Sequence, residues 1–266
     1  DYVITGDWAR KALKEAKKVG STAIAASTEP GGFRRVPKQN ELTFTDKAAY
    51  VHMTSNNTIF GTAFDYTPVT TGAPLVCDAS SYIFSRPLDG AKDCLSYAGA
   101  QKNLGPSGVT VVIVREDLLE RSADSLPSML SYKVHAQNGS MYNTPPAFGI
   151  YMLGLVLQWL KSVGGLTAMG AINDRKAKLL YDELDRTDYW RPHADADSRS
   201  AMNVTFRLPN EELEKVFVKD ATAAGFDGLK GHRSVGGLRA SIYNAFPEQG
   251  VKDLVSFMQE FERTHG

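Results

Sequence analysis

Pro74-Leu75-Val76-Cys77-Asp78-Ala79-Ser80-Ser81 is the stretch on which the fold turns. A short apolar run of strand length is followed at its carboxyl end by a carboxylate and small hydroxyl residues. Such a run is what a strand covered on both faces looks like, since helices packed on each side of a parallel sheet leave it no polar face. In open α/β sheets ligands bind beyond the carboxyl ends of the strands. Asp78 stands at such a place. An aspartate there also serves as a turn or helix cap, and the residue by itself fits both readings.

The same grammar extends in both directions. Tyr2-Val3-Ile4, Thr22 to Ala25, Ala49 to Met53 and Val109 to Val114 read as further short strands, and Trp8 to Lys18 as an amphipathic crossover. Together they predict a largely parallel α/β sheet. A helix is expected from Pro145 or Pro146, with proline in its first turn, to about Lys161. Gly164-Gly165 ends that pattern, and a second helix covers about Ala168 to Arg186. Beyond it the pattern changes to a strand (202–207), a helix (210–224) capped by Asn210 with Glu211 and Glu212 in its first turn, a strand (238–243) and a terminal amphipathic helix (249–263). The expected organisation is a large α/β domain over residues 1–164 and a small C-terminal α+β domain over 165–266. The apolar stretch Ala147 to Leu160 is too short to span a bilayer and reads as a buried core helix.

With 266 residues, 42% of them hydrophobic, the chain can bury a sizeable core. Thirty basic residues balance thirty acidic ones, so net charge argues for neither nucleic acid nor an anionic membrane. Cys77 and Cys94 are too few for a disulfide scaffold and read as reduced, buried thiols. His52, His135, His193 and His265 show no metal-ligand spacing, and no metal is expected. With no signal-like start, a soluble, cytoplasmic protein is expected. Because the sequence opens without methionine and inside a strand pattern, an N-terminal portion is expected to be missing.

Four segments can carry chemistry. In Tyr97-Ala98-Gly99-Ala100-Gln101-Lys102-Asn103-Leu104-Gly105-Pro106, a lysine among small residues can sit at a strand end with its stem enclosed. Desolvation there lowers the amine pKa and frees a nucleophile, although a solvent-facing lysine fits the same residues. Asp78 can hold a pyridinium nitrogen protonated. In Asn143-Thr144-Pro145-Pro146, an amide and a hydroxyl precede a helix start, which suits a phosphate or, equally, a plain N-cap. Lys230 to Arg239 gathers anion binders around three glycines, and Arg239 opens the apolar strand Ala240-Ser241-Ile242-Tyr243, which would hold its planar fork rigidly. Trp8 has a face to stack on a heterocycle or to pack in a core.

Taken together, the segments Ala98 to Asn103, Asn138 to Pro146 and Gly231 to Asn244 resemble the phosphoserine aminotransferases, homodimeric enzymes of fold type I that use pyridoxal 5′-phosphate (PLP). The resemblance covers essentially the whole chain, apart from a leading segment of the family that this sequence lacks. It implies that Lys102 carries the cofactor covalently and that Asp78 pairs with its ring nitrogen. Thr58 would bond the ring hydroxyl, Trp8 would stack on the ring and Gln101 would hold the phosphate. Asn143 and Thr144 would reach the phosphate of the partner subunit. Arg239 would clamp the substrate α-carboxylate, with His232 and Arg233 on the substrate phosphate. The implied reaction moves an amino group from glutamate to 3-phosphohydroxypyruvate, giving O-phosphoserine and 2-oxoglutarate in serine biosynthesis. The alternatives are another small-substrate PLP aminotransferase and a catalytically dead PLP-fold binding protein.

Overall fold

A computed structural model describes residues 1–88 and 94–266. In chain order the elements are β1 (Tyr2–Ile4), α1 (Asp7–Ala16), β2 (Ile24–Ser27), β3 (Val51–Thr54), β4 (Asn56–Asn57), β5 (Thr62–Ala63), β6 (Leu75–Asp78), β7 (Leu95–Gly99), β8 (Thr110–Val114), α2 (Glu116–Leu119), α3 (Tyr132–Gln137), α4 (Ala147–Ser162), α5 (Gly165–Leu184), β9 (Arg191–Pro192), β10 (Asn203–Arg207), α6 (Glu211–Ala223), β11 (Leu238–Ser241) and α7 (Glu248–His265).

Six strands form the main sheet in the order β2-β1-β3-β6-β7-β8. Every neighbouring pair is parallel except the last, where β8 runs antiparallel to β7. The register sets Thr54 beside Asp78 and Asp78 beside Tyr97. Paired residues project to one face of a sheet, so these three side chains share a face near the carboxyl ends of their strands. The opposite face carries Met53 and Cys77, which belong with Val3, Val51, Leu75, Ala98 and Leu104 to one buried apolar cluster. Cys77 is buried and Cys94 only half-buried, so the expectation of two buried thiols holds for the first alone. Cys94 directly precedes β7, and its sulfur accepts from Arg115 Nη1.

A second sheet, β11-β10-β9, is antiparallel and has its own core. Trp190, 1% exposed, sits at its centre with Phe206, Phe217 and Phe261 around it at ring-centroid distances of 5.8, 5.5 and 6.5 Å. The amphipathic faces of α5, α6 and α7 close this core. Asn210 caps α6 as expected, its side chain accepting from the Leu213 N–H at 2.9 Å.

The two sheets meet at the short β4–β5 ladder. Gly61, with φ +71°, lets that turn press against β10: a Cβ there would lie 2.8 Å from the Asn203 carbonyl oxygen. The contact is secured by Thr205, whose hydroxyl donates to the Phe60 carbonyl at 2.7 Å.

A further expectation fails. Helix α4 is not a buried core helix, because Leu160 is its one buried residue. Phe148 is 73% exposed and Tyr151 62%, with Ile150, Leu155 and Trp159 also open. Apolarity on every side of a helix calls for cover all round, and within this chain α4 is covered only on the side facing the main sheet and α5. Nor is Thr144 its N-cap; that position falls to Pro146, with no side-chain cap. Among the described residues no single helix is long and apolar enough to cross a membrane.

Candidate active site

Lys102 emerges from a tight turn after β7. The N–H groups of Leu104 and Gly105 both donate to the Ala100 carbonyl at 2.9 Å, and Ala100 and Leu104 are fully buried. Asn103, also buried, anchors the turn by donating from Nδ2 to the Ile83 carbonyl at 3.0 Å. With its neighbours on both sides fixed, Lys102 projects its amine over the sheet edge, where Nζ donates to Thr58 Oγ1 at 2.9 Å. Desolvation lowers the pKa of this amine; the Asp78 carboxylate opposes that shift, and the Arg239 guanidinium adds to it. Its nitrogen is therefore half-buried, poorly hydrated and within electrostatic reach of an acid, the environment that makes a lysine nucleophilic.

Asp78 ends β6. Its Oδ1 accepts from the Ser80 N–H at 3.0 Å, and its carbonyl accepts from the Ser55 N–H at 3.0 Å and hydroxyl at 3.1 Å. Below it on the same face lies His52, 4% exposed, stacked on Tyr2 and bonded through Nε2 to the Tyr97 hydroxyl at 2.9 Å. Burial pulls the His52 pKa down to about 4, although the charge of Asp78 pulls the other way. Sequence reading gives His52 no part in the site. Its place beside Asp78 was hidden because strand order, not chain order, makes them neighbours.

Arg239 reaches the same spot from β11. Its Nη1 donates to the Thr58 carbonyl at 3.4 Å, while its Nε is buried with no partner among the described residues. A buried N–H left unmet costs on the order of 1–3 kcal/mol, so this guanidinium is suited to an acceptor that a ligand brings. Thr58 thus touches Lys102 with its hydroxyl and Arg239 with its carbonyl. Asp78, Thr58, Lys102 and Arg239, spread over 182 positions of sequence, form one cluster.

Trp8 opens α1 and is 44% exposed, with the Lys11 ammonium 4.2 Å from its ring centroid. Gln101 is exposed beside Lys102, and its amide crowds Gly99. Asn143 and Thr144 lie on an exposed loop, and among the described residues neither is hydrogen-bonded to the Lys102 cluster. His232 and Arg233 line a groove of about 730 Å³ shared with Lys230, Lys215 and Arg207. His232 is held there by a 2.7 Å bond between Nδ1 and the Ser234 hydroxyl. Tyr243, Asn203 and Asn244, which sequence reading gave no role, are packed against the cluster.

Residues 2–254 match the model of the aminotransferase class-V family, and the chain belongs to that family. A curated relative from Herpetosiphon aurantiacus, a phosphoserine aminotransferase, is 57% identical over the whole chain and 74% of its own length. The phosphoserine aminotransferase structure from Bacillus circulans subsp. alkalophilus superposes with a TM-score of 0.98 at 56% identity, covering all of this chain and 74% of that one. A PLP-bound phosphoserine aminotransferase from Trichomonas vaginalis gives 0.89 at 36% identity, covering 97% of this chain and 74% of that one. Within the family the chain falls among the phosphoserine aminotransferases. It is a PLP-dependent aminotransferase with the fold type I architecture, a mostly parallel sheet flanked by helices. Its residues fit the cofactor: a desolvated amine, an acid acting on it across a gap, and a buried guanidinium N–H without an acceptor among the described residues.

Proposed function

We propose that this chain transfers the amino group of glutamate to 3-phosphohydroxypyruvate, giving O-phosphoserine and 2-oxoglutarate for serine biosynthesis in the cytoplasm. The observation that carries the reading is the double hold on Thr58: Lys102 Nζ on its hydroxyl and Arg239 on its carbonyl, in the field of Asp78.

PLP, when bound, supplies a protonated pyridine ring that takes up the electron pair left as an amino acid loses its α-proton. Lys102 would hold the cofactor, and its amine, once freed, would serve as the base toward the α-proton. Burial keeps that amine neutral more readily than water would. Asp78 would keep the ring nitrogen protonated, Thr58 would bond the ring hydroxyl, Trp8 would cover the ring and Gln101 would hold the phosphate. Arg239 binds the α-carboxylate in bidentate fashion. His232 and Arg233 take the substrate phosphate, since a dianion needs paired cations and an uncharged side chain would leave them unmatched.

Two further parts of the proposal concern organisation. The separate aromatic core around Trp190 supports a large domain of residues 1–164 that binds the cofactor and a small domain of 165–266. A homodimer is supported by the open apolar face of Phe148, Tyr151, Leu155 and Trp159. The adjoining loop would then present Asn143 and Thr144 to the partner's cofactor phosphate.

Substrate choice is tested with Arg233→Leu. The variant is expected to raise KM for the phosphorylated oxo acid by about tenfold to a hundredfold and to leave KM for glutamate within twofold. An equal loss toward phosphorylated and unphosphorylated acceptors would remove Arg233 from the phosphate site.

A further inference from the structure

The loop that carries His232 and Arg233 is closed at its base and moulded over one side chain. Across the base, the Gly231 N–H donates to the Gly237 carbonyl at 2.8 Å. Within the loop, the His232 carbonyl accepts from the N–H groups of Val235 at 2.9 Å and Gly236 at 2.8 Å. The Val235 carbonyl takes a different partner and accepts from Arg207 Nη2. Arg207 ends β10, and the antiparallel register that pairs Phe206 with Leu238 sets it opposite Gly237.

Two glycines let the loop lie this close to the arginine. Gly236 and Gly237 have φ of +74° and +67°, and a Cβ on Gly237 would lie 2.8 Å from Arg207 Cδ and 3.0 Å from the Phe206 carbonyl oxygen. The same freedom is a liability, because a peptide next to glycine meets little steric resistance to turning over. The Val235–Gly236 peptide is pinned at both of its polar ends: its oxygen on Arg207 and its N–H on the His232 carbonyl.

Arg207 itself is poorly placed to serve as a phosphate ligand. Its Nη1 donates to the two carboxylate oxygens of Glu214 at 3.2 and 3.4 Å, and Glu214 is buried. Both ends of the fork are therefore engaged, and its charge is matched. We propose that Arg207 is a positioning residue for phosphate selection: by holding the Val235 carbonyl, it keeps the 231–237 loop in the shape that presents His232 and Arg233. Without it the Val235 oxygen is released at the rim of an anion groove, where it opposes the dianion the groove is to hold. The inference rests on the reading of His232 and Arg233 as the phosphate-binding pair.

The test uses the PLP-loaded enzyme and has two readouts. Arg207→Met keeps the apolar stem, and combining it with Glu214→Gln leaves no buried carboxylate unmatched. In this double variant, amide exchange over residues 231–237, followed by peptide mass spectrometry, should speed up by about tenfold. KM for 3-phosphohydroxypyruvate should rise about tenfold, the scale of one charge-assisted hydrogen bond, with kcat within about twofold. KM for hydroxypyruvate, which lacks the phosphate, should stay within about twofold. Arg207→Lys, whose single ammonium cannot fork between Val235 and Glu214, should fall between the double variant and wild type in both readouts. A raised KM with exchange at the wild-type rate would make Arg207 a direct ligand and overturn the proposal. Faster exchange with KM unchanged, or an equal loss toward the two acceptors, would reduce Arg207 to a tie of the fold and overturn it as well. Arg233→Leu in the same assays tests the reading beneath: if it leaves KM for the phosphorylated acceptor unchanged, the phosphate site is elsewhere and the role given to Arg207 falls with it.

Discussion

Lys102 and Lys176 are both lysines drawn out of water, and desolvation is the leading cause of a lowered pKa in each, to about 8 for Lys176. Their surroundings differ in what they leave unsatisfied. Lys176 is fully buried, and its three ammonium hydrogens match the carbonyls of Ile242, Tyr243 and Phe246. Lys102 has the Thr58 hydroxyl, a distant carboxylate and a neighbouring arginine. Burial alone does not make a reactive amine. A lysine with all its donors met is a structural tie; one with donors to spare beside an acid is available for chemistry.

Three experiments press on that contrast. Lys102→Ala should lower transamination by about a thousandfold or more, the scale of losing a positioned base, while changing unfolding free energy by no more than about 1 kcal/mol. Denaturant melts beside steady-state rates check both halves; a large stability loss would make Lys102 a structural tie after all. Lys176→Met keeps the apolar stem and strands three carbonyls, so it should cost about 3 kcal/mol of stability. A cost below about 1 kcal/mol in the same melts would mean that the three bonds only offset the burial of the charge.

His52 sharpens the comparison from the side of a base buried neutral. Its Nδ1 is buried without a partner among the described residues, and its folded pKa is about 4 against 6.5 for the exposed ring. A base with a depressed folded pKa binds fewer protons folded than unfolded, so stability falls as pH drops from 6.5 toward 4. The loss should approach about 3 kcal/mol across that window. His52→Gln should flatten this part of the pH–stability curve. An unchanged acid limb would assign it to other groups.

The elements that were legible in the sequence are those with a strong local pattern. β1 is read at its observed bounds, β3, β6 and β8 within two residues, and α6 with its cap. β2 lies two residues later than expected. β7 was not identified, because Leu95-Ser96-Tyr97-Ala98-Gly99 mixes small, polar and aromatic residues. Its status as a strand comes from lying between β6 and β8 in the sheet. Helix α4 was read as buried because apolar periodicity reports the need for cover and not what supplies it. Among site residues, Lys102, Asp78 and Arg239 could be singled out by residue type and flanks. Tyr243 and Asn203, packed beside them, could not, since they meet each other across 40 positions of sequence.

By itself, then, the sequence determined the class of sheet, the order of strands and helices along the chain, and which side chains had chemistry to offer. These depend on neighbours a few residues apart, where periodicity and turn residues act. Only the tertiary structure decided which lysine has its hydrogens fully taken and which does not, which arginine N–H lacks an acceptor, and that one threonine serves both. Hydrogen-bond satisfaction depends on groups that strand order and sheet packing bring together from distant parts of the chain, and no local pattern records it.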